Sequence, residues 1–270
     1  MTLIAAVQMA SGPHVTANLI EAEKLIGRAA AQGAELAVLP ENFAIMGMSE
    51  QDKVKIREAP GRGPIQDFLA QTAKRHGIWL VGGTIPLEGR APNKVRAACT
   101  VFDPQGRQVA RYDKIHLFDV TLEGTAEKYT ESATIEPGEG ATLVETPFAR
   151  MGLAVCYDLR FPELFRQLLD QGMELLALPS AFTAVTGRAH WEVLVRARAI
   201  ENLCYVIAPA QGGYHINGRE THGESMIVDP WGNVLDRLSR GSGVVVAEFD
   251  RARVASIRHN FPAVRHRRLS

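Results

Sequence analysis

The residue most capable of chemistry is Cys156, which ends the apolar run 151–156 and is followed by a proline at position 162. This pattern predicts a buried strand, a sharp turn and a helix that begins at the proline. A thiol at the end of a strand lies near backbone N–H groups, so it can ionise and attack a carbonyl carbon. The alternative is a small buried core residue, which is the usual environment of a free cysteine. The local pattern alone leaves both roles open.

Two charged residues also follow predicted strands. Glu41 comes directly after the apolar segment 38–40, and Lys114 follows the strand of a predicted hairpin. An attacking cysteine needs a base for its proton and a cation or N–H groups for the oxyanion. A buried glutamate can be that base, and a buried lysine can be that cation while lowering the pKa of the thiol. An exposed carboxylate and a solvated lysine are the alternatives at these two positions.

The elements that must position these groups occur twice along the chain. Segment 32–40 resembles segment 171–179, and each predicts the end of an amphipathic helix, a glycine and a buried strand closed by Leu-Pro. Segments 101–106 and 227–232 both contain Asp-Pro-x-Gly, which is typical of a hairpin turn. Two such repeats in the same order predict an α/β domain with an internal pseudo-twofold repeat, two sheets packed face to face and helices outside.

Each half also contains a second helix and a second buried strand. In the first half the helix begins at Pro64 and the strand covers 78–81. In the second half the helix has Trp191 on its apolar face and the strand covers 205–208. The predicted order is strand, helix, strand, helix, strand and hairpin, given twice. No low-complexity linker separates the halves, so we expect residues 1–270 to form a single domain.

Composition excludes several classes of protein. The 270 residues include 30 Lys and Arg and 30 Asp and Glu, so no net charge favours a nucleic acid or an acidic membrane as partner. The basic segment 265–268 is expected to be a solvated or interface tail. Three cysteines suggest a reducing compartment, and no segment approaches the ~18 apolar residues of a membrane span or resembles a signal peptide. We therefore expect a cytoplasmic protein.

Metal and cofactor motifs are missing from the sequence. The eight histidines form no His-Glu-x-x-His pair, and His215 and His222 lie in a glycine-rich segment where a hydrogen-bonded or solvent-facing ring is expected. No Gly-x-x-x-x-Gly-Lys segment is present for a phosphate. Cys99 and Cys204 lie in apolar strand patterns and are expected in the core. The sequence therefore predicts no metal and no cofactor.

Three segments, 39–42, 112–117 and 152–163, resemble the signature segments of the nitrilase, or carbon–nitrogen hydrolase, superfamily. The resemblance extends over essentially the whole chain, with the segments in family order and at family spacing. It implies a four-layer α-β-β-α sandwich that commonly dimerises into a longer stack. That architecture agrees with the duplicated pattern described above.

The same resemblance implies a Glu–Lys–Cys triad, which falls on Glu41, Lys114 and Cys156. A further glutamate of the family, which helps to orient the lysine and the substrate, falls on Glu131. In the implied mechanism Glu41 takes the proton of Cys156, and Lys114 and the backbone N–H of Tyr157 hold the oxyanion. A thioester forms, and water then releases the acid.

Segment 179–201, with Ser180 followed by Ala-Phe, is most similar to the Nit branch of the superfamily. This similarity implies a small amide that bears carboxylates, such as the 2-oxoglutaryl amide of cysteinylglycine. The sister ω-amidases, an N-carbamoyl or N-acyl amide hydrolase, and a catalytically silent interaction module are the alternatives. The implied partners are a small-molecule amide and further copies of the chain, in a homodimer or a larger homo-oligomer.

Polar residues near the nucleophile are candidates for reading the carboxylates of the substrate. They are Arg160, Thr186, Arg188 and His190, of which the last three are expected on a loop before the second-half helix. The planar fork of an arginine suits a carboxylate. Arg160 has a structural alternative, an ion pair with Asp158 or Glu163.

Overall fold

The computed structural model describes residues 1–122 and 128–268. The helices are α1 Val15–Ala31, α2 Gln51–Lys55, α3 Pro64–His76, α4 Pro162–Asp170, α5 Ala184–Asn202 and α6 Arg251–Asn260. The strands are β1 Thr2–Gln8, β2 Leu36–Val38, β3 Trp79–Val81, β4 Ile85–Glu88, β5 Val95–Phe102, β6 Gln108–Asp113, β7 Asp119–Thr121, β8 Lys128–Thr130, β9 Thr142–Glu145, β10 Arg150–Leu153, β11 Leu175–Ala177, β12 Tyr205–Ala208, β13 Gly212–Tyr214, β14 Glu220–His222, β15 Ser225–Val228, β16 Val234–Leu238 and β17 Gly243–Phe249. Single 3₁₀ turns cover Glu131–Ala133, Cys156–Arg160 and Ala263–Arg265.

The two halves build two sheets of the same design. In the first sheet β1, β2 and β3 are parallel, and the β5–β6 hairpin continues the sheet from β3. In the second sheet β10, β11 and β12 are parallel, and the β15–β16 hairpin follows β12. An antiparallel edge strand completes each sheet, β17 beside β1 and β9 beside β10. The predicted repeat is confirmed, but the pairing of the last strand with the first strand was not predicted.

Burial explains why the sheets stack. Successive residues of β1 alternate between two cores. Ile4 and Ala6 belong to the core that also contains Met151 of β10, and Ala5 belongs to the core that contains side chains of α1 and α3. Helices α4 and α5 pack against each other, and α5 also packs against β12 of the second sheet. The order of layers is therefore helix, sheet, sheet, helix, as the sequence and the family resemblance predict.

The two Asp-Pro-x-Gly segments form the predicted hairpin turns. The carboxylate of Asp103 accepts the N–H groups of residues 105 and 107, and the carboxylate of Asp229 accepts those of residues 231 and 233. Gly106 and Gly232 have φ of +79° and +85°, which a side chain would make unfavourable. The same sequence pattern thus makes the same turn in each half.

The beginning of α5 corrects one expectation. Thr183 is the N-cap of this helix, because its hydroxyl accepts the N–H of Thr186 at 3.2 Å. Thr186, Arg188 and His190 consequently lie in the first two turns of α5 and not on a loop before it. The cap was not recognised in the sequence because the apolar periodicity begins only at Trp191.

Two further expectations concern the core and the membrane. Cys99 and Cys204 are both fully buried, as predicted from their strand patterns. Among the residues that the structure describes, no helix combines the length and the apolar character needed to cross a bilayer.

Candidate active site

Strand ends from both halves meet in one pocket of about 700 Å³. Glu41 follows β2, Lys114 follows β6 and Cys156 follows β10. The Lys114 Nζ lies 2.8 Å from Glu41 Oε1, and the charges of both groups act on the nearby thiol of Cys156. All three side chains are buried and line the pocket.

Glu131 completes a charged group at the inner end of the pocket. It lies in the 3₁₀ turn after β8, and both of its carboxylate oxygens accept from Lys114 Nζ, at 2.9 and 2.8 Å. The N–H of Phe118 also donates to Glu131 at 2.7 Å. We call Glu41, Lys114 and Glu131 the inner cluster. It contains one ammonium and two carboxylates, so it carries one excess negative charge.

The turn at Cys156 is sharp and strained. Cys156 has a φ of +48°, which costs a non-glycine residue about 1–2 kcal/mol. Its N–H donates to Pro179 O at 2.9 Å, and the preceding N–H of Val155 donates to the Asp158 carboxylate at 2.8 Å. The surrounding structure therefore imposes this conformation, and such strained residues cluster at functional sites.

Asp158 is the anchor of that turn. Its carboxylate is fully buried and accepts the hydroxyl of Tyr112 at 2.7 Å and the backbone N–H of His116 at 3.0 Å. The Nδ1 of His116 lies 2.7 Å from the same carboxylate. Four contacts from three residues thus fix the turn that carries the nucleophile. These contacts satisfy Asp158, and among the described residues it forms no ion pair with Arg160, which was the structural alternative for that arginine.

The electrostatics of the thiol differ from the expectation. Burial raises the pKa of Cys156 well above its ordinary value, and the charge of Glu41 raises this pKa further. Lys114 and the N–H of Ala181, 3.4 Å from Sγ, lower the pKa but do not compensate. The predicted effect of the lysine is present, yet burial outweighs it. The resting sulfur is therefore a neutral thiol that needs a base during attack.

Lys114 remains charged in spite of its burial. Burial alone would lower the pKa of an ammonium group. The neighbouring carboxylates of Glu131 and Glu41 raise the pKa of Lys114 well above its ordinary value. The pocket thus contains a permanent cation in contact with the base and close to the thiol.

Two residues next to the thiol, Tyr157 and Ala181, bring backbone N–H groups to the site. Tyr157 lines the pocket directly after Cys156, as expected. The N–H of Ala181, which donates towards Sγ, was not predicted. Ala181 follows Ser180, and Ser180 is the second-half equivalent of Glu41. The repeat could therefore have predicted that a second strand end, the one before Ser180, lies at this site.

The candidate substrate-binding residues divide into two groups. Arg160 and Thr186 line the pocket. The guanidinium of Arg160 lies over the rings of Tyr157 and Phe182, 5.8 and 5.3 Å from their centroids. Within the described residues Arg160 has no carboxylate partner, neither Asp158 nor Glu163, and its Nη1 contacts His190 Nδ1 at 3.2 Å.

Arg188 and His190 do not line this pocket. Arg188 is exposed and lines a separate surface groove with Glu192 and Arg237. A helix turns by about 100° per residue, so two steps after Thr186 the chain points away from the pocket. His190 is exposed and reaches the site only through Arg160.

Four charged pocket residues escaped the sequence reasoning, and one of them, Glu220, is paired with Arg240 at 2.6 Å. Glu50, Lys53 and Arg219 line the pocket at its more exposed end. Glu50 and Lys53 are three positions apart, which normally indicates a solvated helical pair. Arg219 lies between β13 and β14, where the sequence shows only glycines and polar residues.

The buried histidine of the glycine-rich segment, His215, forms hydrogen bonds within the fold. His215 is buried, and its ring nitrogens contact Ser11 O at 2.8 Å and Thr221 Oγ1 at 2.7 Å. Within residues 1–122 and 128–268, no group of three or more His, Cys, Asp and Glu side chains is arranged to hold a metal.

Comparison with known proteins agrees with this fold. Residues 3–259 match the carbon-nitrogen hydrolase family, so the chain belongs to that family. It is a hydrolase that acts on the C–N bonds of amides.

Among its relatives, the chain is 45% identical to the deaminated glutathione amidase of Synechocystis, over 98% of this chain and 97% of that protein. It is 36% identical to the omega-amidase NIT2 of Danio rerio, over 98% of this chain and 94% of that protein. The crystal structure of the C. elegans NitFhit protein superposes with a TM-score of 0.92 at 37% identity. That match covers 99% of this chain and 65% of the NitFhit chain, so this chain spans about two thirds of the larger protein.

Proposed function

We propose that this enzyme hydrolyses deaminated glutathione, the 2-oxoglutaryl amide of cysteinylglycine, through a thioester on Cys156. The observation that carries the proposal is the buried contact of a thiol, a carboxylate and an ammonium group, Cys156, Glu41 and Lys114, at one end of a pocket. A relative at 45% identity has this named activity, which supports the choice of substrate.

In the first half of the reaction Glu41 accepts the proton of the Cys156 thiol as Sγ attacks the amide carbonyl carbon. The C=O π electrons move to the oxygen, and Lys114 and the N–H of Tyr157 stabilise that negative charge. Glu41 then gives its proton to the amide nitrogen. The C–N bond breaks, the amine leaves, and the acyl group remains on sulfur as a thioester.

In the second half Glu41 accepts a proton from water, and the resulting nucleophile attacks the thioester carbonyl. The C–S bond breaks, the acid leaves, and the proton returns to the Cys156 thiolate. The raised pKa of Cys156 favours this return, because burial disfavours a free thiolate. Glu131 holds Lys114 in place through both steps while Glu41 changes its protonation state.

Arg160 is the proposed partner of the 2-oxo acid carboxylate in the acyl part of the substrate. It lines the pocket four residues after Cys156, and among the described residues no carboxylate neutralises it. Thr186 lines the same pocket and adds a hydroxyl to it. A guanidinium that already rests on two aromatic faces loses little freedom when it binds a carboxylate.

The ω-amidase activity is the second candidate, because a relative at 36% identity is named for it. The two activities share the acyl group and differ in the leaving amine, cysteinylglycine or ammonia. An N-carbamoyl or N-acyl amide hydrolase, which would change the pocket and keep the triad, and a silent interaction module are further outcomes of the test.

A substrate panel tests the proposal. It contains 2-oxoglutaryl-cysteinylglycine, 2-oxoglutaramate, an N-carbamoyl amino acid and a simple nitrile. We expect the highest kcat/KM for the first compound. A higher kcat/KM for 2-oxoglutaramate would favour the ω-amidase, a preference for the carbamoyl compound would favour that hydrolase class, and no turnover of any compound would favour the interaction module.

We also propose that residues 1–270 form one domain of a cytoplasmic homodimer or larger homo-oligomer. Support for self-association comes from exposed apolar side chains on and near α5, Val193, Ile200 and Trp231. Light scattering during gel filtration measures the mass in solution, and a monomer would contradict the proposed assembly.

A further inference from the structure

A second charged group lines the pocket at its more exposed end. Lys53 Nζ lies 3.2 Å from Glu50 Oε2, and Arg219 Nη2 lies 2.5 Å from Glu50 Oε1. We call Glu50, Lys53 and Arg219 the outer cluster. None of these residues takes part in the proposed bond-breaking steps.

Two separate segments of the chain are joined to build the outer cluster. Glu50 and Lys53 belong to the segment around α2, and Arg219 belongs to the connection between β13 and β14. Asn217 Nδ2 donates to Gly47 O at 2.7 Å and links the two segments. The side chain of Lys53 is only 10% exposed, so its ammonium group is held in a largely buried position at the pocket wall.

The outer cluster carries one excess positive charge. The charge of Lys53, with a further contribution from Arg219, lowers the pKa of Glu50 to about 2, so this residue is a carboxylate at neutral pH. Within the cluster one carboxylate faces two cations. Glu220 also lines the pocket, but its carboxylate is paired with Arg240 at 2.6 Å and does not neutralise this excess. The ammonium has three donors and the guanidinium has five, so donors remain after the contacts with Glu50.

Successive contacts between three aromatic rings lead from this charge to Arg160. Arg219 lies over the ring of Tyr129 at 5.2 Å, and Arg160 lies over the ring of Tyr157 at 5.8 Å. The ring of Phe118 contacts both tyrosines, and its centroid lies 5.1 Å from that of Tyr129 and 5.0 Å from that of Tyr157. These ring contacts connect Arg160 with the outer cluster, and each of the two carries one excess positive charge.

Two separated cations suit a substrate with two separated carboxylates. The 2-oxoglutaryl amide of cysteinylglycine has one carboxylate in its acyl part and one at the end of its leaving amine. We propose that the outer cluster, through Lys53 and Arg219, binds the terminal carboxylate of a peptide leaving amine. This inference rests on the proposed function and assigns selectivity for the leaving group to residues remote from the triad.

A purely structural role for the outer cluster makes a different prediction about charge. If Glu50 and Lys53 only tied α2 to the β13–β14 connection, removing either charge would harm the pocket in the same way. If the cluster binds a carboxylate, Lys53→Met removes the excess positive charge, whereas Glu50→Gln increases it. Lys53→Met should then lower the preference for a free carboxylate, whereas Glu50→Gln should not lower it.

The experiment compares two substrates within each variant. They are 2-oxoglutaryl-cysteinylglycine and the same compound with its terminal carboxylate converted to a carboxamide. The measured quantity is the ratio of their kcat/KM values, which does not depend on the fraction of active enzyme. We expect the wild type to prefer the free acid by about 10- to 100-fold. Lys53→Met should reduce the ratio by about tenfold, and Glu50→Gln should maintain or increase it.

Lys55→Met is the matched control, since Lys55 lies on the same helix, is exposed and does not line the pocket. This control should keep the wild-type ratio. The inference would be overturned if Lys53→Met and Glu50→Gln reduced the ratio equally, or if both variants kept the wild-type ratio.

Activity of the wild type on 2-oxoglutaramate separates the two proposals. Turnover of this amide without any preference for the free acid would overturn the leaving-group site and leave the amidase assignment intact. No turnover of 2-oxoglutaramate or of either peptide amide would overturn both.

Discussion

The inner and outer clusters line one pocket and have opposite charge. In the inner cluster one cation lies between two carboxylates, and in the outer cluster one carboxylate lies between two cations. The inner side chains are 1–12% exposed, whereas the outer side chains are 10–37% exposed. The inner cluster is thus a closed group within the protein, and the outer cluster retains a charge that a ligand can neutralise.

The difference in burial between the two clusters predicts different roles in turnover and in substrate selectivity. A buried charge that loses its partner is expensive, because water cannot replace that partner. A half-exposed ion pair contributes ~0–1 kcal/mol, since water and salt screen it. We therefore expect substitutions in the inner cluster to affect turnover and folding strongly, and those in the outer cluster to affect mainly the choice of substrate.

Among the charged residues of the pocket, the largest effect is expected for Lys114→Met. Loss of the ammonium removes an oxyanion donor, which typically lowers kcat by about 10²–10³-fold. It also leaves two buried carboxylates unpaired, which should reduce the free energy of unfolding by about 3–5 kcal/mol. Steady-state kinetics and denaturant unfolding measure the two effects. Lys55→Met should change neither, and an active Lys114→Met enzyme would show that the inner cluster is not needed for rate.

Arg160→Leu is expected to have the next largest effect. Loss of a hydrogen-bonded charge partner should lower kcat/KM for 2-oxoglutaryl amides by about 10- to 100-fold. Arg188→Leu is the control, because Arg188 is exposed and lies outside the pocket. If Arg188→Leu were the more damaging of the two, the assignment of the acyl carboxylate to Arg160 would be wrong.

The reactivity of the thiol tests the electrostatics of the inner cluster. Because the pKa of Cys156 is raised, its alkylation by iodoacetamide should keep accelerating above pH 9. An ordinary cysteine, with a pKa of ~8.5, would approach its maximum rate there. Lys114→Met removes a charge that lowers this pKa, so alkylation at pH 9 should be about tenfold slower. A rate that is already constant below pH 7 would instead indicate a resting thiolate.

The smallest effect is expected for Glu50→Gln on stability. The pKa of Glu50 is lowered from 4.5 to about 2, so its contribution is present above pH 4.5 and is lost as the pH falls towards 2. Unfolding experiments should find the wild type more stable than Glu50→Gln by about 1 kcal/mol at pH 6, and nearly equal to it at pH 2.5. A difference that grows in acid would contradict the depressed pKa.

Local patterns predicted the repeated elements and made Glu41 and Lys114 candidates for the site, whereas Glu131 was assigned only through the family resemblance. Segments 32–40 and 171–179 carry enough periodicity and turn chemistry to define a helix end and a strand in each half. The resemblance to a known family then assigned Glu41 and Cys156 to one site. The geometry of their contact depends on the packing of two sheets and could not be read from local sequence.

Other features depend on tertiary contacts that leave no local signal. The positive φ of Cys156 is imposed by the buried contacts of Asp158 and by Pro179. The outer cluster needs Arg219 from one half and Lys53 from the other, and isolated charges in polar segments normally indicate solvated side chains. Periodicity also could not show that Arg188 lies outside the pocket, because the start of α5 depends on the Thr183 cap.

Rapid quenching during turnover, followed by intact-protein and peptide mass spectrometry, tests the covalent chemistry most directly. With 2-oxoglutaryl-cysteinylglycine the protein mass should increase by one 2-oxoglutaryl group, carried by the peptide that contains Cys156. Cys156→Ala should show no such adduct and should lose turnover by at least about 10⁴-fold. An adduct on another residue, or undiminished hydrolysis by Cys156→Ala, would contradict the proposed nucleophile.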